Sequence, residues 1–340
     1  MALSRALNAA GRGLPTSVGI RDASTALRQA SSRSRAGNAV ESVVALLAAG
    51  LTATVAAPAQ AALSDKRNDY NRDGISDLVA INDEDYCLYR WYGNGSGGLG
   101  GGVRVGCGWQ DHWTSLSAVG DLNRDGNGDL VAIGVGSNGY CLFRWFGNGA
   151  GGFGLKTQLG CGWEPFTYRD LVGFDHGAIY AAGDLNNDGN GDLVGVNKND
   201  NDALWLWYGN GGGGFNNGVR VGEGWGPYKM TLTGAGDLNS DGNADLVAIG
   251  ESSRQLSIWF GFGNGAFSSR IGIGTGWDAY HNPRSISGMG DFTGDGNGDL
   301  VGANKQTTGW VLYSWAGNGS GGFGTGMAMG PGWFRYHLAV

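Results

Sequence analysis

The amino-acid sequence predicts an all-β fold: a five-bladed β-propeller of four-stranded antiparallel blades, closed into a ring by its C-terminal strand. Three observations carry the prediction. The first is composition, in which 68 glycines among 340 residues accompany 13 Trp, 12 Tyr and 12 Phe but only six prolines. Collagen is excluded by the lack of a G-X-Y period and the scarcity of proline, and disorder by a hydrophobic share of 41%. What remains is a chain of short, aromatic-rich strands separated by tight turns. The second observation is an internal repeat. The string GDLNRDGNGDLV at 120–131 recurs with its first Asp at Asp69, Asp121, Asp184, Asp237 and Asp291. The third is that two tryptophan landmarks keep its register. A Trp two residues before a Gly stands at Trp91, Trp145, Trp207, Trp259 and Trp315, and G-x-G-W ends at Trp109, Trp163, Trp225, Trp277 and Trp333. Repeats of about 50 residues are the length of a four-stranded propeller blade.

Each strand of the unit has a reason. After the acidic stretch comes an apolar run such as Leu130 to Ile133, as expected of a strand buried on both faces. A second strand, such as Cys141 to Phe146, carries a Leu three residues before its Trp in all five copies. Gly-Asn-Gly with trailing glycines then supplies residues that tolerate positive φ in a hairpin. A third strand reaches G-x-G-W, and a fourth, such as Thr231 to Ala235, leads into the next acidic loop. Before Asp69 there is no apolar strand, and after Trp333 only Tyr336 to Val340 remain. Those last residues are expected to complete the first blade, covering an otherwise open edge. The longest repeat interval holds an insertion at 164–180, expected to be a surface loop.

The first 61 residues read differently. Six arginines face two acids, Val43 to Ala57 is apolar, and Ala59-Gln60-Ala61 is an A-x-A cleavage pattern. This is a secretory leader rather than a membrane span, which needs about 20 apolar residues. Residues 62–340 are then a single propeller, and removing the leader takes the formal charge from −7 to −11. Such an acidic chain is a poor partner for nucleic acid or anionic membranes.

The acidic loops follow D-x-[NT]-x-D-G-x-x-D. Hard oxygen donors at this spacing suit calcium. An EF-hand is excluded, because position 12 is Ala132 within a strand instead of a glutamate before a helix. The competing reading is a set of metal-free Asx-turns, against which stands the mutual repulsion of close carboxylates. These motifs resemble the FG-GAP or VCBS repeats of integrin-like β-propellers, in a secreted bacterial form, over essentially all of residues 62–340. The resemblance implies up to five Ca²⁺ ions. Their ligands would be Asp69, Asn71, Asp73 and Asp77; Asp121, Asn123, Asp125 and Asp129; and Asp184, Asn186, Asp188 and Asp192. The remaining two sets are Asp237, Asn239, Asp241 and Asp245; and Asp291, Thr293, Asp295 and Asp299. Thr293 departs from the Asn of the other copies, and five repeats depart from the seven blades of integrin-type rings.

Cys87 and Cys107 occupy the same two repeat positions as Cys141 and Cys161, and the other three copies lack both. Cysteines present or absent as a pair favour the bridges Cys87–Cys107 and Cys141–Cys161. No catalytic constellation emerges, since the four histidines are scattered without a H-E-x-x-H or nucleophile-elbow setting. G-x-G-x-x-G at Gly93 and Gly147 joins two strands rather than a strand and a helix, against a dinucleotide site. The repeat tryptophans have two readings: wedges filling the spaces between blades, or platforms for sugars. Tachylectin-like five-bladed lectins are similar in their repeat ends, and a fungal lectin family with FG-GAP loops has N-acetylglucosamine sites between blades. That resemblance implies Trp109, Trp163, Trp225, Trp277 and Trp333 as ligand contacts, with the off-register Trp113 and Trp310 as further exposed candidates. The expected function is a secreted, calcium-stabilised, non-catalytic propeller binding glycans or cell-surface material. The alternatives are a carbohydrate-active enzyme using Glu164, Asp170, Asp175 and His176, and a structural protein-interaction module.

Overall fold

The computed structural model describes residues 68–170, 173–307 and 309–339, so the expected leader lies outside the described residues. Five four-stranded antiparallel sheets form the blades. Blade one holds β1 (Leu78–Asn82), β2 (Cys87–Trp91) and β3 (Val103–Cys107). Blade two holds β4 (Ser117–Gly120), β5 (Asp129–Gly136), β6 (Gly139–Trp145) and β7 (Thr157–Cys161). The insertion after it forms a one-turn 3-10 helix and a hairpin, β8 (Thr167–Arg169) and β9 (Asp175–Gly177). Blade three holds β10 (Ile179–Gly183), β11 (Asp192–Asn197), β12 (Ala203–Trp207) and β13 (Val219–Gly222). Blade four holds β14 (Thr233–Gly236), β15 (Asp245–Ile249), β16 (Leu256–Trp259) and β17 (Ile271–Gly274). Blade five holds β18 (Ile286–Gly290), β19 (Asp299–Gln306), β20 (Gly309–Trp315) and β21 (Met327–Pro331).

The C-terminal strand β22 (Tyr336–Leu338) pairs antiparallel with β1, matching Ala80 to Leu338 and Asn82 to Tyr336. The last strand thus supplies what the first repeat lacks, and the ring has no open seam at that blade. The insertion differs from the surface loop expected of it. Its three-residue strands carry no alternating pattern long enough to read, yet they pair from Thr167↔Gly177 to Arg169↔Asp175.

Burial follows position in the blade. The second strands are apolar and enclosed, as in Leu130 to Ile133, whereas the outer strands such as β3 and β7 are mostly exposed. The innermost strands are short and rich in small residues (SAVG in β4, TGAG in β14) because they crowd round the axis. There Ser117 Oγ donates to Ile179 O at 3.2 Å and Ser287 Oγ to Ala339 O at 2.6 Å, joining neighbouring blades. Arg284 is buried among them. Its guanidinium donates to the carbonyls of Leu116, Gly177 (3.2 Å) and Ile179 (3.1 Å) and lies over the Tyr180 ring. A lone arginine before blade five thus ties the inner strands of blades two and three from across the axis, with carbonyl dipoles in place of a carboxylate partner.

Leu338 is buried at 1% exposure on the closing strand. Leu338→Ala should therefore cost about 3 kcal/mol, and deletion of 336–340 more, read as a fall in melting temperature. A deletion that melts with the intact chain would show that the ring does not depend on β22.

Candidate metal loops and inter-blade grooves

Each acidic loop leads into the second strand of its blade, in blades two to five directly from the innermost strand, placing all five on one face of the ring. The Asp at the ninth position is fully buried in every copy: Asp77, Asp129, Asp192, Asp245 and Asp299 are each 0% exposed. One of its oxygens accepts the N–H of the second loop residue, Tyr70, Leu122, Leu185, Leu238 or Phe292, at 2.8–2.9 Å. The other accepts the N–H of the glycine that closes the blade's W-x-G. Those bonds, to Gly93, Gly147, Gly209, Gly261 and Gly317, are 2.8–3.0 Å. The carboxylate is a clip between the loop's start, the second strand and the hairpin after the next one. It also explains the glycine: a Cβ on Gly147 would lie 2.2 Å from Gly128 O, and one on Gly93 2.2 Å from Ser76 O.

The remaining side chains fold the loop round the first Asp. Asp69 Oδ1 accepts the N–H groups of Arg72 (2.7 Å) and Asp73 (3.2 Å), and its Oδ2 that of Gly74 (2.9 Å). The third-position Asn donates to the fifth-position Asp in four copies, as Asn71 does to Asp73 at 2.9 Å. Thr293 makes no such bond, and its hydroxyl is buried without a partner among the described residues. Burial raises the ninth-position carboxyls to about 7 for Asp77, Asp129 and Asp245, about 8 for Asp192 and about 6 for Asp299. The amide bonds pull the other way, and neighbouring acids add to the rise.

The donor chemistry fits a hard divalent cation: three carboxylates and an amide or hydroxyl oxygen per loop. As the loops stand, their oxygens are turned onto backbone amides, and no three acid, His or Cys side chains converge as a cage among the described residues. The loops are also linked laterally, which the sequence reading missed. The fourth residue, always at positive φ, reaches the seventh-position Asn of the next loop. Arg72 Nε donates to Asn127 Oδ1 at 2.7 Å and Arg124 Nε to Asn190 Oδ1 at 2.9 Å. Asn187 and Ser240 make the equivalent bonds to Asn243 and Asn297. At the junction of blades five and one these positions are Gly294 and Ile75, which have no side-chain donor or acceptor. Asn at position seven in four copies was the signal available.

Each G-x-G-W tryptophan packs against the tryptophan that stands two residues before a Gly in the following blade. The pairs are Trp109–Trp145, Trp163–Trp207, Trp225–Trp259, Trp277–Trp315 and, across the closure, Trp333–Trp91, with ring centroids 4.6–4.9 Å apart. The five tryptophans expected to touch a ligand therefore fill the seams between blades. Trp225 also lines a cavity of about 380 Å³ between blades three and four, together with Trp259, Tyr228, Phe267, Glu223 and Arg270. The off-register Trp113 and Trp310 are half-buried rather than exposed, Trp113 against Phe174 and His337, and Trp310 against Phe334. Both expected disulfides are formed, Cys87–Cys107 and Cys141–Cys161, each pinning an exposed outer strand to its neighbour.

Of the insertion residues weighed for catalysis, Glu164 accepts the Tyr140 N–H at 2.8 Å and serves as a turn ligand. Asp170 bonds His176 Nε2 at 2.8 Å, and Asp175 accepts the Tyr140 hydroxyl at 2.9 Å. Among the described residues no helix is long and apolar enough to cross a membrane.

Fold and loops together define a five-bladed propeller whose repeats are each clipped by an acidic loop. The chain belongs to the FG-GAP-like repeat family, whose model matches residues 69–132, 184–248 and 237–301. No curated protein sequence matches it. Among solved structures it is similar to one described as the specific recognition of non-reducing terminal N-acetylglucosamine by an Agrocybe aegerita lectin. That match has 18% identity and a TM-score of 0.42, and covers 80% of this chain and 69% of the other. It is also similar to the Photorhabdus luminescens Tc holotoxin pore, at 17% identity and a TM-score of 0.39. There the match covers 76% of this chain but 11% of the toxin chain.

Two outcomes follow from the clips and seams. Gly147→Ala should destabilise the ring by about 1–3 kcal/mol or more, because the clash is with backbone; a melting curve matching the parent would refute the close approach. His112, buried beside Trp109 and Trp145 with Nδ1 3.3 Å from Ile133 O, is held by burial at a pKa of about 4. The unfolded chain takes up that proton near pH 6.5, so this histidine's stabilisation is complete above pH 6.5 and is lost as pH falls toward 4. The loss is at most about 3 kcal/mol. Melting from pH 7 to 4.5 should show a smaller acid loss in His112→Phe than in the parent; parallel profiles would contradict it.

Proposed function

We propose that this chain is a secreted, calcium-stabilised, non-catalytic propeller that binds carbohydrate in grooves between its blades. The groove between blades three and four carries the reading. Its wall is aromatic (Trp225, Trp259, Phe267), and Glu223 and Arg270 stand at the same opening. Aromatic faces match the apolar side of a sugar ring, the Arg270 guanidinium offers donors to hydroxyls, and Glu223, bonded to Arg220 and Asn201, keeps acceptor capacity to spare. The two disulfides suit an oxidising, extracellular setting.

Calcium would be held by the first, third, fifth and ninth positions of each loop, from Asp69, Asn71, Asp73 and Asp77 through Asp291, Thr293, Asp295 and Asp299. The ion would supply positive charge to a buried carboxylate that has none. Five ions would bring the formal charge of residues 62–340 from −11 to −1.

A glycan array probed with and without calcium, alongside melting curves with and without a chelator, tests both halves. Binding to a defined glycan should weaken in Arg270→Ala. Calcium at a hundredfold excess over its Kd should add about 2.7 kcal/mol per site. No sugar bound would overturn the carbohydrate reading, and identical melting with and without chelator the calcium reading.

A further inference from the structure

On the face opposite the acidic loops, the β5–β6 hairpin, the segment after Trp109 and the β8–β9 hairpin enclose a second cavity, of about 150 Å³. It has no counterpart generated by the repeat, because the inserted hairpin supplies one wall. Trp113, Phe174 and Tyr140 line it, with Trp113 and Phe174 meeting edge to face at 5.3 Å and Phe174 51% exposed.

Apart from the exposed Gln110 amide, the hydroxyl donors lining the cavity are already committed. Thr114 donates its hydroxyl to Asp175 O at 2.8 Å, Thr167 to Glu164 O at 2.9 Å and Tyr140 to Asp175 Oδ2 at 2.9 Å. Ser115 donates to Ile133 O. His176 is 5% exposed, stacks on Tyr168 at 5.3 Å and bonds Asp170 through Nε2. With that N–H donated, Nδ1 is an acceptor, and it is buried with no partner among the described residues. That burial keeps Nδ1 behind the wall, so the acceptors open to a ligand are the exposed Asp175 and Asp111.

Charge narrows the ligand. Asp111 and Asp175 line the cavity, and two cations bond to its walls: Arg284 to Gly177 O and Lys198 to Thr167 Oγ1. The balance favours a neutral, donor-rich molecule over an amine. The volume is below the roughly 300–1,000 Å³ of pockets for drug-sized ligands and suits a single ring.

We propose that this cavity is a monosaccharide site, one per propeller, in which Trp113 and Phe174 pack the apolar face of a terminal pyranose. Asp175 and Asp111 accept hydrogen bonds from its hydroxyls. The proposal rests on the carbohydrate reading above and adds a location distinct from the inter-blade groove.

The test titrates methyl glycosides of glucose, galactose, mannose, fucose and N-acetylglucosamine into the full chain, followed by ligand-observed NMR. One of them should bind, and Trp113→Ala should weaken it at least tenfold. Asp111→Asn changes an exposed acceptor at little risk to folding and should weaken binding several-fold in protein of parental melting temperature. Arg270→Ala reads the inter-blade groove separately and should lower only the binding that Trp113→Ala leaves. Binding that survives Trp113→Ala and Asp111→Asn but is lost in Arg270→Ala overturns the proposal and leaves the inter-blade reading intact. The reverse pattern supports the cavity against the groove, and no binding by any glycoside overturns both.

Discussion

A carboxylate with no water around it governs each blade. The ninth-position Asp accepts one amide from the loop's start and one from the hairpin of the third strand, so three chain segments meet at one side chain. Removing a charge from water costs several kcal/mol, and two charge-assisted amide bonds return about 1.5–3 kcal/mol each. Burial outweighs those bonds, which is why these carboxyls are lifted to about 6–8. The loop's other acids are arranged around the same point, at the ring's surface. A cation there would stabilise the ionised clip from outside, which makes metal binding and blade stability one property rather than two.

The rest of the ring follows from repeating the clip. It fixes where the second and third strands turn, and so where each blade's W-x-G tryptophan stands. The G-x-G-W tryptophan of the preceding blade then packs against it at 4.6–4.9 Å. Four of the five seams are further held by the step from the fourth position of one loop to the seventh of the next. Only adjacent blades touch in these ways, so stability accumulates neighbour by neighbour. Arg284 is the exception, bonding across the axis to two blades at once.

What was legible in the sequence was whatever the repeat wrote five times. Blade number, strand order and the closing strand followed from the period and from its ragged ends. The disulfides followed from Cys87 and Cys107 recurring as Cys141 and Cys161. Roles that depend on a neighbour one repeat away were harder to read. The ninth-position Asp looks like a ligand in a single loop; its bond to Gly147 or Gly209 connects positions 17 or 18 residues apart, visible only in the fold. The tryptophans likewise show their bland role only when blades are set side by side. Unrepeated features were nearly silent: β8 and β9 are three residues each, too short for a period, and nothing marks Arg284 among the surface arginines.

Symmetry and its one interruption have different functional weights. Five like seams can offer only weak, equivalent grooves whose strength would come from avidity. The insertion after blade two breaks that equivalence and brings Phe174 and His176 against Trp113. Trp113 in turn packs at 4.4 Å on His337 of the closing strand. The asymmetric wall is thus continuous with the strand that shuts the ring. A ligand resting on Trp113, as proposed, would touch a side chain packed on β22, and any preference for the paired strand would add to the stability of closure.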